Sequence, residues 1–187
     1  MDYTELVNHM SLREQARLVT GADFWHTWSA VKYGLPSIMV SDGPNGLRKE
    51  EKHKAIKAIC FPSATALAAS FDRGVLAHVG KTVANECKAK RVSVLLGPGI
   101  NIKRSPLCGR NFEYYSEDPV LAGELGAAFI NAVQAEGVGT SIKHFAANST
   151  ESRRMVSNSL VDDRALREIY LRGFEIAVKK AQPWTIM

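Results

Sequence analysis

Four short apolar runs punctuate this chain: Ser37–Ser41 (SIMVS), Val92–Leu96 (VSVLL), Thr140–His144 (TSIKH) and Trp184–Met187 (WTIM). None alternates cleanly between apolar and polar positions. That is the signature of strands covered on both faces, as in a parallel sheet. Longer helical patterns separate the runs, and parallel strands need crossovers of that kind. The chain therefore reads as α/β. Two architectures remain open at this point, a doubly wound open sheet and a barrel.

The helical patterns carry their own start and stop signals. Ser11 and Glu14 form a capping-box pair, with Gly21 as the expected stop. Asp72 caps a segment bearing Val75, Val79, Val83 and Cys87. Asp118 precedes a first-turn Pro119, then Leu121, Leu125, Phe129 and Val133 make one face and Gly137 ends it. Asp162 or Asp163 starts a last helix, with Leu166, Ile169 or Tyr170, Phe174 and Val178 on one side. A length of 187 residues suits one domain or a piece of a larger one. The final run stops in mid-strand, where backbone groups need partners, so a truncated domain is expected.

Charge and motifs narrow the function classes. There are 24 basic and 19 acidic residues, a formal net charge of +5. The excess is thinly spread: residues 151–187 hold seven Lys/Arg against five Asp/Glu. No basic run or aromatic stacking motif accompanies it, so no nucleic-acid partner is expected. No stretch approaches the roughly 20 consecutive apolar residues that span a bilayer, and no membrane partner is expected. The N-terminus lacks the basic-then-apolar order of a signal peptide. Cys60, Cys87 and Cys108 are odd in number and widely spaced, which favours free thiols in a reducing, cytoplasmic setting. His9, His26, His53 and His78 are scattered, so no metal site and no cofactor are expected. Gly97-Pro98-Gly99 does not match the dinucleotide fingerprint, although a phosphate-binding turn remains a minor alternative.

In both α/β architectures the chemistry sits at the C-terminal ends of strands. After the first run comes Ser41-Asp42-Gly43-Pro44-Asn45-Gly46-Leu47-Arg48. Asp42 either accepts hydrogen bonds from substrate hydroxyls or closes an Asx-turn on its own backbone. After the second run a long non-helical stretch carries Arg110, which either forks onto a ligand or pairs with Glu113 or Glu117. Lys143 and His144 end the third run side by side. Two ionisable groups there are costly unless they are paired or face a cavity. The bland alternative has Lys143 snorkelling outward and His144 capping a carbonyl.

Taken together these segments resemble glycoside hydrolase family 3, the β-glucosidase family. The likeness rests on SDGPNGLR (41–48), CFPSATALAASFD (60–72), LLGPGINIKRSPLCGRNFEYYSEDP (95–119), GVGTSIKHFAAN (137–148), ESRRM (151–155) and DDRALREIYLRGFEIAVKKAQPWTIM (162–187), in collinear order.

The resemblance implies about the first half of an N-terminal (β/α)8 TIM barrel, spanning residues 1–187 and truncated before the nucleophile segment. It implies substrate binding by Asp42, Arg110, Lys143 and His144 around the −1 subsite, with Met187 at its wall. Arg48 and Arg104 would organise neighbouring loops or carboxylates, and Glu151 and Arg154 would lie near the pocket. No catalytic residue is expected in this chain. The family's aspartate nucleophile and its glutamate acid/base would lie beyond Met187. The expected reaction of the complete enzyme is retaining hydrolysis of terminal β-D-glucosyl residues, without cofactor or metal. Its partners would be a small β-glucoside or oligosaccharide and the remaining segments of the same enzyme. The alternative is a non-catalytic fragment that binds sugar or complements another chain.

Overall fold

The computed structural model describes residues 3–51 and 54–187. His53 lies outside them. Two short helices open the chain, α1 (Tyr3–Asn8) and α2 (Leu12–Leu18). The capping box at α2 is present: the Ser11 hydroxyl accepts from Glu14 N, and Glu14 Oε2 accepts from Ser11 N at 2.9 Å. The helix ends before Gly21, at a Val19 C-cap.

Strand β1 (Val40–Asp42) is followed by a two-stranded antiparallel ribbon, β2 (Glu50–Glu51) and β3 (Lys54–Ala55). Then come α3 (Ala64–Ala68), α4 (Arg73–Ala89), β4 (Val94–Leu96) and α5 (Pro119–Ala135). The chain closes with β5 (Gly139–Ile142), α6 (Asp163–Ala165), α7 (Arg172–Ala181) and β6 (Thr185–Ile186). The caps at Asp72, Asp118 and Asp162 each accept from first-turn backbone N–H groups.

The main sheet has the order β1-β4-β5-β6 and is parallel throughout. Register pairs Ser41 with Leu95 and Leu95 with Thr140. Strand order never reverses along the chain, and α5 packs against both α4 and α7. A doubly wound sheet reverses order at a switch point and carries helices on both faces. Successive strands with neighbouring helices on one side are the arrangement of a barrel wall.

The core lies between that wall and the helices. Leu95 and Ile142 from the sheet pack with Val79 and Val83 of α4, Leu125 and Phe129 of α5, and Phe174 of α7. On α4 the buried stripe runs through Leu76, Val79, Val83 and Cys87, whereas Val75 is 36% exposed. A spacing of four drifts against 3.6 residues per turn, so the stripe begins one residue later than the i, i+4 pattern suggests. A π-helical turn at Leu166–Tyr170 interrupts the last helical pattern. It leaves Ile169 41% exposed while Phe174 stays buried. All three cysteines are free thiols, with Cys60 exposed and the other two buried.

Candidate active site

Side chains alternate faces along a strand. Leu95 and Ile142 point to the helices, so the opposite set, which includes Asp42 and the position of Lys143, points the other way. Lys143 is 2% exposed, which removes the snorkelling alternative. Its Nζ lies 2.5 Å from Asp42 Oδ1 and 3.7 Å from Glu113 Oε2. Asp42 therefore spends its carboxylate on a strand-end lysine and not on an Asx-turn. Its backbone carbonyl accepts from Arg48 N at 2.8 Å, which folds the 43–47 turn back onto β1.

Arg110 pairs with Glu113, the first of the two carboxylates its spacing offers, and among the described residues forms no ion pair with Glu117. Its Nε donates to Glu113 Oε1 at 2.5 Å, while its Nη1 faces Glu151 Oε1 at 3.4 Å. Nη2 reaches His144 Nε2 at 2.7 Å. The other ring nitrogen, Nδ1, stands 3.0 Å from the Tyr114 hydroxyl, which Asn148 Nδ2 also meets at 3.0 Å. Asn101 clamps the His144 backbone, accepting from its N at 2.7 Å and donating to its O at 2.8 Å. Peptide bonds Lys143–His144 and Phe145–Ala146 are cis.

Asp42, Arg110, Glu113, Glu151 and Arg154 line a cavity of about 1020 Å³. Phe24, Trp25, Phe61 and Phe112 supply its apolar lining. Sequence periodicity gives no hint of these aromatics, because Phe24, Trp25 and Phe61 stand in loops and Phe112 in a single 3₁₀ turn. Lys143, His144 and Met187 are not among the lining residues. Met187 is held by its backbone, donating to Ile142 O and accepting from Phe145 N, with the residue 43% exposed. Arg48 lines the cavity and faces Glu50 at 3.4 Å, while among the described residues Arg104 forms no ion pair.

Burial, with the Arg110 and Lys143 charges beside it, pushes the His144 imidazole down to about 3. It is neutral in the folded chain near pH 7. Unfolded, it titrates near its ordinary value of about 6.5. Below that pH the unfolded chain takes up a proton that the folded one refuses. The stabilisation is therefore complete above about pH 6.5 and fades as pH falls toward 3. Between pH 7 and pH 4.5 the loss should be about 1–2 kcal/mol once water screening is allowed for. Urea unfolding at the two pH values reads it, and the difference should shrink in His144→Gln.

The Gly97–Gly99 turn is stitched into the end of β5. Lys143 N donates to Pro98 O at 3.0 Å, and Ile100 N donates to Lys143 O at 2.9 Å. A Cβ on Gly99 would stand 2.9 Å from Glu113 O and 3.0 Å from Tyr114 Cδ1. Here glycine makes room for the segment that carries Glu113 and Tyr114, and the turn is committed to that packing. Gly99→Ala should cost about 1–3 kcal/mol, read by thermal unfolding, because backbone must move.

The arrangement sets hydrogen-bond-accepting carboxylates, Asp42, Glu113 and Glu151, beside the cationic donors Arg110 and Lys143. Such a set can satisfy the paired donor and acceptor character of vicinal hydroxyls.

Comparison with known proteins identifies the family and the fold. Residues 8–187 match the model of the glycosyl hydrolase family 3 N-terminal domain. The thermostable β-glucosidase B of Acetivibrio thermocellus is 53% identical over 194 residues, which cover all of this chain and 26% of that protein. An exo-α-(1→6)-L-arabinopyranosidase of Bifidobacterium longum is 48% identical, over 97% of this chain and 25% of its own length. The structure of β-glucosidase 3B from Thermotoga neapolitana in complex with α-D-glucose superposes with a TM-score of 0.92 at 44% identity. That match covers 100% of this chain and 29% of the other. The chain thus spans about a quarter of the length of the curated relatives it matches. Its four-stranded parallel wall is part of a TIM-barrel domain. With its match running from residue 8 to the last residue, the chain belongs to glycosyl hydrolase family 3, as N-terminal domain sequence.

Proposed function

We propose that these residues form the sugar-binding wall of a retaining glycoside hydrolase that removes terminal β-D-glucosyl units. The observation that carries the reading is convergence: Asp42 ends β1, Arg110 follows β4 and Lys143 follows β5, and they meet beside one cavity. Charge-assisted hydrogen bonds from such groups to ring hydroxyls strengthen as the sugar approaches an oxocarbenium-like state. Strengthening in the transition state, and not tight ground-state binding, is what lowers the barrier. Lys143 and Arg110 act as donors and Asp42 as acceptor. Both ring nitrogens of His144 are already bonded, so its part runs through Arg110.

Asp42, Glu113 and Glu151 are each engaged by a cation, and none stands free as a nucleophile. The nucleophile and the acid/base of a double displacement, about 5–5.5 Å apart in retaining enzymes, belong to other segments of the complete protein in this reading. The β-glucosidase relatives and the glucose-bound neighbour support a glucosyl substrate. The arabinopyranosidase relative supports a second reading, in which the same wall holds a pentopyranosyl unit.

In the complete polypeptide carrying these residues, an aryl β-D-glucoside should be cleaved to β-glucose as first product, seen by proton NMR. Asp42→Asn should lower kcat/KM about 100-fold, the worth of a hydrogen bond to a charged group. Release of α-glucose would overturn the retaining mechanism, and an unchanged kcat/KM would remove Asp42 from the subsite. Faster cleavage of an aryl α-L-arabinopyranoside would favour the second reading. The 187-residue chain alone should show no turnover of either substrate.

A further inference from the structure

Arg110 is the pivot of the proposed sugar site, and what fixes its direction is not obvious from its ion pairs alone. Glu113 holds its Nε at 2.5 Å and Glu151 faces its Nη1 at a looser 3.4 Å. The third nitrogen, Nη2, is held by His144 Nε2 at 2.7 Å. Arginine has only N–H donors and cannot accept. This contact is therefore a hydrogen bond only if Nε2 carries a lone pair, which places the imidazole proton on Nδ1. The Nδ1 proton then needs an acceptor of its own, and the Tyr114 hydroxyl stands 3.0 Å away.

We propose that Tyr114 and Asn148 are positioning residues of the sugar site, which hold His144 in its neutral Nδ1–H form so that its Nε2 lone pair aims the Arg110 guanidinium. The inference rests on the reading of Arg110 as a sugar ligand, and it adds two residues that touch no substrate.

Several independent features converge on it. Tyr114 is fully buried at 0% exposure, so its hydroxyl has no alternative partner in bulk water. Its backbone bridges Gly99, the position where a Cβ would strike the Tyr114 ring, so close packing fixes the ring. The Tyr114 and His144 rings meet edge to face at 76° with centroids 6.0 Å apart. Asn148 Nδ2, from the loop after β5, steadies the hydroxyl from the other side. Asn101 grips both backbone polar atoms of His144, which leaves the ring little freedom to turn over. Arg110 and Lys143 stand close by and disfavour an imidazolium, while Asp42 is the opposing charge. Burial also raises the Tyr114 phenol well above its ordinary value, so it remains a neutral hydroxyl. The Arg110 contact at Nε2 and the Tyr114 contact at Nδ1 thus fix one position for the imidazole proton.

The test uses the complete polypeptide carrying these residues, labelled with 15N in its histidines. Long-range proton–nitrogen spectra report which ring nitrogen carries the proton. One imidazole, assigned by its absence in His144→Gln, should show the Nδ1–H pattern and hold it unchanged from pH 8 to pH 5. A His144 found as Nε2–H, or as imidazolium at pH 7, overturns the proposal, since Nε2 could not then accept from Arg110. In Tyr114→Phe, which keeps the ring and removes only the acceptor, the pure Nδ1–H pattern should give way to a mixture of tautomers. Affinity for D-glucose should fall about fivefold, the scale of one net hydrogen bond. Unchanged tautomer and affinity in that variant would overturn the role of Tyr114. Asn148→Ala, whose side chain is nearer the surface, provides the same readouts should Tyr114→Phe not fold. A wild-type chain that shows the Nδ1–H imidazole but binds no glucose supports the tautomer assignment, while it removes the sugar-site reading on which the proposal's purpose depends.

Discussion

Lys143→Met should unfold at markedly lower urea than the wild type, a loss of about 3 kcal/mol. The lysine is 3% exposed at its side chain and stands between two carboxylates, Asp42 at 2.5 Å and Glu113 at 3.7 Å. Removing it leaves Glu113 with Arg110 alone and Asp42 without a cation. The Asp42 side chain is 33% exposed on the cavity, so water can rescue part of its charge. That places the loss toward the lower end for a broken buried pair. A partner substitution separates this from packing. Asp42→Asn in the Lys143→Met background should cost less than the sum of the two single changes. Strict additivity would mean that the pair contributes nothing to folding. Sugar affinity is the second readout, and it should fall about 10- to 100-fold in both single variants.

Phe129→Ala should be as damaging, by about 3–5 kcal/mol, with no direct effect on any group of the cavity. Phe129 is 1% exposed on α5, the helix that packs on both α4 and α7. Across the α4 contact stands Gly80, where a Cβ would meet Phe129 O at 2.9 Å and its ring at 3.4 Å. The helices approach closely because α4 offers no side chain there. The void left by alanine is therefore bounded by backbone and cannot collapse easily. Phe129→Leu should recover much of the loss. An unfolding free energy for Phe129→Ala within about 0.5 kcal/mol of wild type would mean that this interface is loosely packed.

Strand ends were the legible part of the site. Asp42, Lys143 and His144 stand out in the sequence because ionisable residues that close apolar runs need a reason to be there, and Arg110 because it stands in the long non-helical stretch after the second run. The structure brings these four together, with Lys143 on Asp42 and Arg110 on His144. Met187 is placed at the end of β6 and joined to the site through its backbone. Tyr114, Asn101 and Asn148 were not legible, because their roles depend on how the 97–118 stretch folds across the end of β5. No local spacing encodes that closure. The cavity aromatics Phe24 and Trp25 were hidden for the same reason: the segment between α2 and β1 is neither 3.6- nor 2-periodic. The helix caps at Ser11, Asp72, Asp118 and Asp162 were legible since each is a bond between near neighbours. Periodicity sets the face of α4 one position early and carries no sign of the π turn. Both are errors of helical phase, which tertiary packing sets.

The ion pairs around the cavity have a further consequence. Asp42, Glu50, Glu113 and Glu151 are matched by Arg48, Arg110, Lys143 and Arg154, within bonded pairs or bridges. A guest therefore meets strong local dipoles but almost no net field. Phosphorylated or carboxylated compounds would have to break existing pairs to gain a counter-charge, whereas an uncharged polyol only has to join them. Capture by such a wall should be nearly indifferent to added salt, with diffusion delivering the ligand unsteered.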